Sequence, residues 1–314
     1  MPTFFNHPRD KGYVKSFDGS KIYWESHGAE LSSKKTPILF CYGLACSKFQ
    51  WRNLAEFFAE DHNLIFFDYR GHHRSEFVPH PDKLNLNHIS RDALAVLEEL
   101  SVKETHIFAH SMGCNIALEL AFNFPERVKS LILVAGSAEN PFRSILGLTF
   151  LDKVMPMLLG TFPKNKQQFF AFWNWLLKNR MMLRLVVLAA GFNRKAVDSQ
   201  DVETYLDSVA NVSPQAFFEL LYDMSMGNSQ SLLRRIQTPA LVISGANDQV
   251  TPANVQQRLA EGLPNAEFFS IPLGSHNVQL EFADYLSRKI KEFWSQRLPK
   301  PTINKVREKK SQRN

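Results

Sequence analysis

The chain has 314 residues, 44% of them hydrophobic, and a formal net charge of +6. It is long and apolar enough for one large α/β domain, or a domain with an insertion, which excludes a disordered chain as the default. The charge lies mostly in residues 299–314, where six basic residues stand against one acidic residue, so we expect a flexible, solvated basic tail. Weak contact of this tail with an anionic surface is the less favoured alternative, and we expect no specific nucleic-acid partner.

The first predicted elements form an antiparallel hairpin. Apolar and polar residues alternate in GYVKSF (12–17) and KIYWES (21–26), which predicts two strands. The pair Asp18-Gly19 between them supplies the positive φ that a tight hairpin turn requires.

Short, continuously apolar runs follow, with helical periodicity between them. In chain order they are TPILFCYG, NLIFFDYRG, THIFAHSMG, SLILVAGS, PALVISGAND and AEFFSIPLGS. Runs buried on both faces and separated by helices predict a mostly parallel sheet with crossover helices, and so an α/β fold. The clearest helices are predicted in HISRDALAVLEEL (88–100) and HNVQLEFADYLSRKIKEFW (276–294).

One long interval, residues 138–236, contains no strand-like run. Helix-forming stretches with large apolar side chains follow one another there, which predicts an all-helical insertion. We therefore divide the chain into a first core part (1–137), a helical cap (138–236), a second core part (237–298) and the tail (299–314).

Polar side chains follow three of the predicted parallel strands where each strand ends. Ser111 follows THIFAH, Asp248 follows ALVISGAN, and His276 follows FFSIPLGS. Because such strand ends gather at one edge of a parallel sheet, we expect these side chains to lie together. An imidazole can take the proton of a serine, and a carboxylate can orient the imidazole, so the set predicts a nucleophilic serine. The backbone N–H groups of Leu44 and Met112 are the predicted oxyanion donors.

Four motifs in the same order carry a resemblance to a known family. They are AHSMG (109–113), the spacing from Asp248 to His276, DYRGHHRS (68–75) and YGLACSKFQW (42–51). From about residue 10 to 297 the chain resembles the α/β-hydrolase superfamily, specifically its capped serine hydrolases. The resemblance implies an eight-stranded, mostly parallel sheet flanked by helices, with an inserted helical cap.

The chain departs from the family's motifs at three positions. Ala109 replaces the first glycine of G-x-S-x-G, and His73 replaces the second glycine of the Asp68–Ser75 loop. Tyr42 stands where the family usually has the histidine of a His-Gly pair. We expect Tyr42 to alter the hydrogen bonds behind the oxyanion loop and to leave the reaction unchanged.

Each candidate residue also has a structural interpretation. Ser111 could be a helix N-cap, Asp248 a loop residue before a helix, and His276 the start of a helix. Glu139, beyond the LVAGSA strand, is the rival acid because some members of the family resemble that arrangement. Capping explains neither the small residues around Ser111 nor its partners downstream, so we favour the catalytic interpretation.

Other polar clusters predict structure rather than chemistry. The adjacent His72 and His73 are unsuited to one metal ion, and no cysteine or carboxylate is spaced to complete a site. A glycine-rich phosphate loop is absent from the sequence. We therefore expect no metal and no cofactor, and we interpret Asp68 and Arg70 as a structural ion pair.

The compartment is indicated by the cysteines and the N-terminal residues. Cys41, Cys46 and Cys114 have no zinc or disulfide spacing, which favours a reducing environment. The N-terminus lacks the pattern of a secretory or transit signal. No uncharged apolar run is long enough to cross a bilayer, so we expect a cytoplasmic protein without a membrane span.

The expected reaction is hydrolysis of a carboxylic ester through an acyl-enzyme on Ser111. Thioester, lactone, amide or C–C bond cleavage and perhydrolysis use the same residues, and a non-catalytic small-molecule receptor is the alternative of another class. The interval 138–236 is rich in side chains that can line an adaptable apolar pocket, so we expect a lipophilic substrate, although a helical insertion also needs an apolar core to fold. These side chains are Phe150, Met155, Met157, Phe162, Phe169, Phe170, Phe172, Trp173, Trp175, Met181, Met182, Phe217, Phe218, Tyr222, Met224 and Met226.

Overall fold

The computed structural model describes residues 3–33, 35–77, 84–143, 150–189, 199–227 and 229–298. Its strands are β1 (Asp10–Lys15), β2 (Lys21–Gly28), β3 (Ile38–Cys41), β4 (Asn63–Phe67), β5 (Thr105–His110), β6 (Val128–Val134), β7 (Ala240–Gly245) and β8 (Ala266–Ile271). Its helices are α1 (Arg52–Glu56), α2 (Leu86–Glu99), α3 (Met112–Asn123), α4 (Leu151–Gly160), α5 (Lys166–Lys178), α6 (Arg180–Ala189), α7 (Ser199–Ala210), α8 (Pro214–Met226), α9 (Gln230–Leu233), α10 (Ala253–Gly262), α11 (Val278–Glu281) and α12 (Ala283–Arg297).

The strands form one sheet in the order β1-β2-β4-β3-β5-β6-β7-β8. β2 pairs antiparallel with β1 and with β4, and all other neighbouring strands are parallel. β3, β4, β5 and β7 are buried along their whole length, as expected where crossover helices cover both faces. β8 is mostly half-buried because it lies at the sheet edge. The predicted eight-stranded, mostly parallel α/β fold is confirmed.

The N-terminal hairpin is also confirmed. Val14 lies opposite Ile22 in the register of β1 and β2. The Ser16 N–H donates to the Ser20 carbonyl at 2.9 Å, which closes the turn between the strands. Gly19 has a φ of +88°, so this position needs the left-handed conformation that glycine adopts at no steric cost.

The two predicted helices differ in how well they match the structure. α2 begins two residues before the predicted start, where the Asn85 side chain accepts the His88 N–H and the His88 ring accepts the Asn85 N–H, a reciprocal cap. The segment 276–294 is not one helix, because Phe282 leaves the helical conformation between α11 and α12. The Glu281 carboxylate accepts the Ser275 N–H at 2.9 Å, which holds α11 against the loop that carries His276.

The interval between β6 and β7 has a hydrophobic cluster of its own. Its described residues are helical or irregular, apart from one bridge between Val212 and His72, which confirms the helical insertion for that part. The buried side chains of this cluster include Phe142, Leu159, Phe162, Trp173, Leu183, Val202, Leu206 and Phe218. Leu233 and Ile236 pack instead with the core cluster of the sheet. The domain division at residues 138 and 236 stays a prediction.

Among the described residues, no helix has the length and apolar character that a bilayer crossing needs. The predicted basic tail, residues 299–314, lies outside the described residues.

Candidate active site

Ser111 occupies a sharp turn between β5 and α3. Its φ of 53° and ψ of −121° are strained for a residue with a side chain, and this is the geometry of a nucleophile elbow. Gly113 allows the turn, since a Cβ there would lie 2.5 Å from the Cys41 carbonyl oxygen. Ala109, which replaces the motif's first glycine, is fully buried, so the turn accommodates one methyl group.

The three predicted side chains lie together. His276 Nε2 is 3.1 Å from Ser111 Oγ, and His276 Nδ1 is 2.9 Å from Asp248 Oδ2. Asp248 and His276 are buried, while Ser111 is half-buried. These distances form a continuous path of hydrogen bonds from the hydroxyl to the carboxylate.

Asp248 is held as an anion by a set of donors. Its Oδ1 accepts the backbone N–H groups of Val250 and Thr251 at 2.8 and 2.9 Å. Its Oδ2 accepts the Thr251 hydroxyl at 2.8 Å and the Gln256 amide at 3.2 Å. Burial raises the pKa of Asp248, but the charge and hydrogen bond of His276 and the bonds from Thr251 outweigh burial, and the pKa lies below its ordinary value.

The rival acid, Glu139, has another partner. Its carboxylate accepts two hydrogen bonds from Arg258, at 2.7 and 3.1 Å. The hydrogen bond from Arg258 lowers the pKa of Glu139 despite partial burial. Asp248, not Glu139, is the carboxylate bonded to the His276 ring.

The expected ion pair between Asp68 and Arg70 is wrong. Arg70 is buried and donates instead to Asp92 at 2.8 Å and Asp18 at 2.6 Å. Asp68 pairs with Arg74 at 2.8 Å. The sequence placed Asp68 and Arg70 close together, but the fold brings carboxylates from the hairpin turn and from α2 to Arg70.

Tyr42 forms a reciprocal contact with Tyr69 behind the predicted oxyanion loop. Its hydroxyl accepts the Tyr69 N–H at 2.8 Å, and its carbonyl accepts the Tyr69 hydroxyl at 2.8 Å. Both side chains are buried, and their ring centroids are 4.1 Å apart. Gly43 follows directly, and a Cβ there would lie 3.3 Å from Ser111 Cβ. The tyrosine pair therefore fixes the loop that places Gly43 beside Ser111.

Tyr42→Phe is expected to lower kcat by about tenfold with a smaller change in KM, because small displacements of oriented donors are costly. It leaves the buried Tyr69 N–H without its acceptor, which should cost about 1–3 kcal/mol of stability. Steady-state kinetics and urea unfolding of this variant measure both effects. Tyr69→Phe is the matched comparison, since it removes the other bond of the pair; a Tyr42→Phe variant with wild-type kcat would contradict the positioning role.

His110 lies between the Gly43 loop and the His276 loop, and the sequence analysis did not identify it. Its Nε2 lies 2.9 Å from the His276 carbonyl oxygen, and the two rings are 4.9 Å apart. Burial, together with the charge of His276, lowers the pKa of His110 to about 3, so its ring is neutral and donates from Nε2. The sequence signal that could have identified His110 was its position between Ala109 and Ser111, because a residue next to the elbow must face the neighbouring loops.

A cavity of about 280 Å³ lies beside Ser111. Its apolar side chains come mainly from the helical insertion: Phe142, Trp173, Leu176, Leu183, Phe217, Leu221 and Met224. Gln50 also lines it and is buried, and its Oε1 has no hydrogen-bond partner among the described residues. A largely apolar cavity with a few polar groups beside a nucleophile suits a small organic ligand.

The described histidines and cysteines are not arranged as metal ligands or disulfides. The described residues contain no cluster of three or more His, Cys, Asp or Glu side chains that could hold a metal ion. The His73 ring lies 2.9 Å from the Cys46 carbonyl, and burial lowers the pKa of His72 to about 3. Cys41, Cys46 and Cys114 are buried free thiols, whose burial raises their pKa and makes them poor nucleophiles.

The sheet order is that of the alpha/beta hydrolase fold, whose family model matches residues 36–283. The chain belongs to this family.

Similar proteins carry several activity names. The chain is 28% identical over 261 residues to a protein of Azorhizobium caulinodans named carbamate hydrolase RutD, covering 81% of this chain and 88% of that protein. It is 24% identical over 296 residues to a protein of Haemophilus influenzae named esterase/lipase, covering 92% and 94%. The crystal structure of the enol-lactonase from Burkholderia xenovorans superposes with a TM-score of 0.73 at 17% identity, over 90% of this chain and 100% of that one, which shows the shared fold.

Proposed function

We propose that this hydrolase cleaves a carboxylic ester with a lipophilic acyl or alcohol group, through an acyl-enzyme on Ser111. The observation that carries the proposal is the path of hydrogen bonds from Ser111 through His276 to Asp248, at the edge of an apolar cavity.

Each residue then has a defined task. His276 Nε2 takes the proton of Ser111 as its Oγ attacks the ester carbonyl, and returns it to the departing alcohol. Asp248 stabilises the imidazolium that forms between the two steps. Water, activated by the same imidazole, releases the acid and frees the serine. The N–H groups of Leu44 and Met112 stabilise the oxyanion of each tetrahedral intermediate.

The cavity supports a lipophilic substrate. Trp173, Leu183 and Phe217 line it from the helical insertion, and they are joined by adaptable groups such as Met224. An acyl chain placed there would lose contact with water and gain contact with rings and thioethers. We infer that residues 138–236 act as a cap that provides this chain site.

The polar end of the cavity favours a second candidate reaction, hydrolysis of a carbamate or amide. The unpartnered Gln50 Oε1 is a buried acceptor, which a substrate N–H would satisfy and an ester oxygen would not. Several relatives of the chain are named carbamate hydrolase RutD.

An activity screen with a covalent probe tests the main proposal. A fluorophosphonate is expected to label the intact protein on the peptide that contains Ser111, and heat-denatured protein provides the control. Ligand binding without labelling would favour a non-catalytic receptor instead.

Acyl-chain length tests the substrate class. With p-nitrophenyl esters from acetate to laurate, kcat/KM is expected to rise by about tenfold or more toward medium chains, because each buried CH₂ contributes about 0.8 kcal/mol. Ser111→Ala provides the background rate, and matched carbamates and amides test the second candidate. A steady fall in kcat/KM from acetate onward would remove the lipophilic chain site.

A further inference from the structure

Two helices of the insertion, α5 and α6, are apolar on two sides. They bury Trp173 and Leu183 in the cluster below them, yet on their other side Phe172 is 54%, Trp175 49% and Met181 77% exposed. We call the exposed apolar set of these helices the cap face: Phe172, Trp175, Met181, Met182 and Leu185. A surface helix of a soluble protein normally presents polar residues on that side, so the cap face is a candidate contact surface.

The cap face is a cluster rather than a scatter of side chains. Phe172 and Trp175 are one helical turn apart, and their rings stack with centroids 6.0 Å apart. α6 begins two residues after α5 ends and packs against it. Met181 and Met182 therefore lie in the first turn of α6, close to the end of α5. Rings and thioethers of this kind can enter an irregular, fluid environment at little cost.

The charge around the cap face is positive. Residues 150–189 contain six basic residues and one acidic residue, Asp152. Arg180 and Arg184 are paired with Glu203 of α7. The exposed lysines in this stretch have no carboxylate within ion-pair distance among the described residues, and they are Lys153, Lys164, Lys166 and Lys178. No acidic side chain of the described residues neutralises these four charges.

We propose that the cap face docks on an anionic lipid bilayer. Exposed aromatic and apolar side chains bordered by lysines are the combination by which helices lie in the headgroup region of a membrane. A second copy of the chain is a poorer occupant, because a two-fold contact brings the same lysines of both copies together. The charge complementarity therefore selects a negatively charged surface.

Docking of the cap face would bring the membrane close to the cavity beside Ser111. Trp173, Leu176 and Leu183 line the cavity from the inner sides of the same two helices. A lipophilic ester dissolved in the bilayer would thus lie one helix layer from Ser111. This consequence rests on the proposed function, whereas docking does not, so vesicle binding is measured separately from turnover.

Co-sedimentation of the full chain with lipid vesicles tests docking. Wild type is expected to bind vesicles of phosphatidylcholine with phosphatidylglycerol at least about a hundredfold more tightly than vesicles of phosphatidylcholine alone, and to lose that preference in high salt. Lys164→Gln, Lys166→Gln and Lys178→Gln together should weaken binding to the anionic vesicles by about a hundredfold, since each lysine near such a surface contributes about fivefold. Phe172→Ser, Trp175→Ser and Met181→Ser together should weaken binding by tenfold or more.

Matched variants separate the cap face from other surfaces. Tyr285→Ser removes an exposed ring from α12, and Phe57→Ser removes one after α1, so both should bind vesicles as wild type does. Circular dichroism and fluorophosphonate labelling show whether each variant is folded. If the triple glutamine variant and the triple serine variant both still bind vesicles as wild type does, binding would be assigned to the tail and the proposal would be overturned. If the wild type is a dimer and the triple serine variant is a monomer, the cap face binds a second copy of the chain, and the proposal is overturned.

Discussion

Asp248→Asn is expected to lower kcat for ester hydrolysis by about 10⁴-fold, because the amide that replaces the carboxylate favours the wrong tautomer of the histidine and does not stabilise its imidazolium. In the structure, the substitution changes only the hydrogen bonds around the Asp248 carboxylate. The Asp248 carboxylate is buried, and His276 Nδ1, the Thr251 hydroxyl and the Gln256 amide all contact its Oδ2. An asparagine has almost the same volume, so the variant should fold. Initial rates with p-nitrophenyl butyrate at pH 8 measure the loss.

Glu139→Gln is the matched control for the acid. Glu139 also lines the cavity, and it pairs with Arg258 rather than with His276. Its replacement should change kcat by no more than a few-fold, since a partly exposed ion pair contributes about 1 kcal/mol or less. If Glu139→Gln reduced kcat as strongly as Asp248→Asn, the assignment of the acid would be wrong.

The sequence predicted the sheet and the three strand-end residues for the same physical reason. A parallel strand with helices on both faces must be apolar along its whole length, so β3, β5 and β7 were visible as short apolar runs. The residue after each run then lies at the edge where such strands converge. Ser111 and Asp248 could be located in this way without any knowledge of distances.

Contacts between distant elements were the part that the sequence could not supply. Arg70 has Asp68 two residues away, yet it pairs with Asp18 and Asp92, because the hairpin turn and α2 both lie against the segment that follows β4. The pair of Tyr42 and Tyr69 likewise depends on β3 and β4 being parallel neighbours. Neither pairing leaves a periodic signal, since both follow from the strand order.

The helix break at Phe282 is another feature that the sequence could not supply, because it also depends on contacts with distant elements. Residues 276–294 have continuous helical character, but α11 is bonded to the His276 loop and α12 packs against the core. A helical period in the sequence reports which residues face the core. It does not report where two helices must diverge to satisfy separate contacts.

Acid sensitivity is the second large expected effect, because three of the buried histidines have strongly lowered pKa values. Burial lowers the pKa values of His72, His106 and His110 to about 3, whereas an unfolded chain has a histidine pKa of about 6.5. Between these values the unfolded chain binds protons that the folded chain does not. The stability that comes from keeping the rings neutral is thus fully present above about pH 6.5 and is lost as the pH falls toward 3.

The free energy of unfolding is expected to fall by about 2 kcal/mol for each of these histidines between pH 7 and pH 5, or about 6 kcal/mol in all. Because domains are stable by about 5–15 kcal/mol, the protein should unfold near pH 5 or retain a small margin. Urea unfolding at half-unit steps from pH 7.5 to 5 measures the slope. His106 offers the cleanest single test, since it lies outside the candidate site and contacts Ser130 Oγ at 2.7 Å and the Trp294 ring.

His106→Gln should lower stability at pH 7 because the contacts of its ring are lost. It should also make the pH dependence shallower, by at most about one third, since one of the histidines with a lowered pKa no longer titrates while His62, His72 and His110 remain. His7→Gln is the matched control for the substitution itself, because it replaces an exposed histidine by the same residue. A merely structural effect would shift the whole curve without changing its slope. A slope in His106→Gln equal to that of wild type would therefore contradict proton binding on this ring as a cause of acid unfolding.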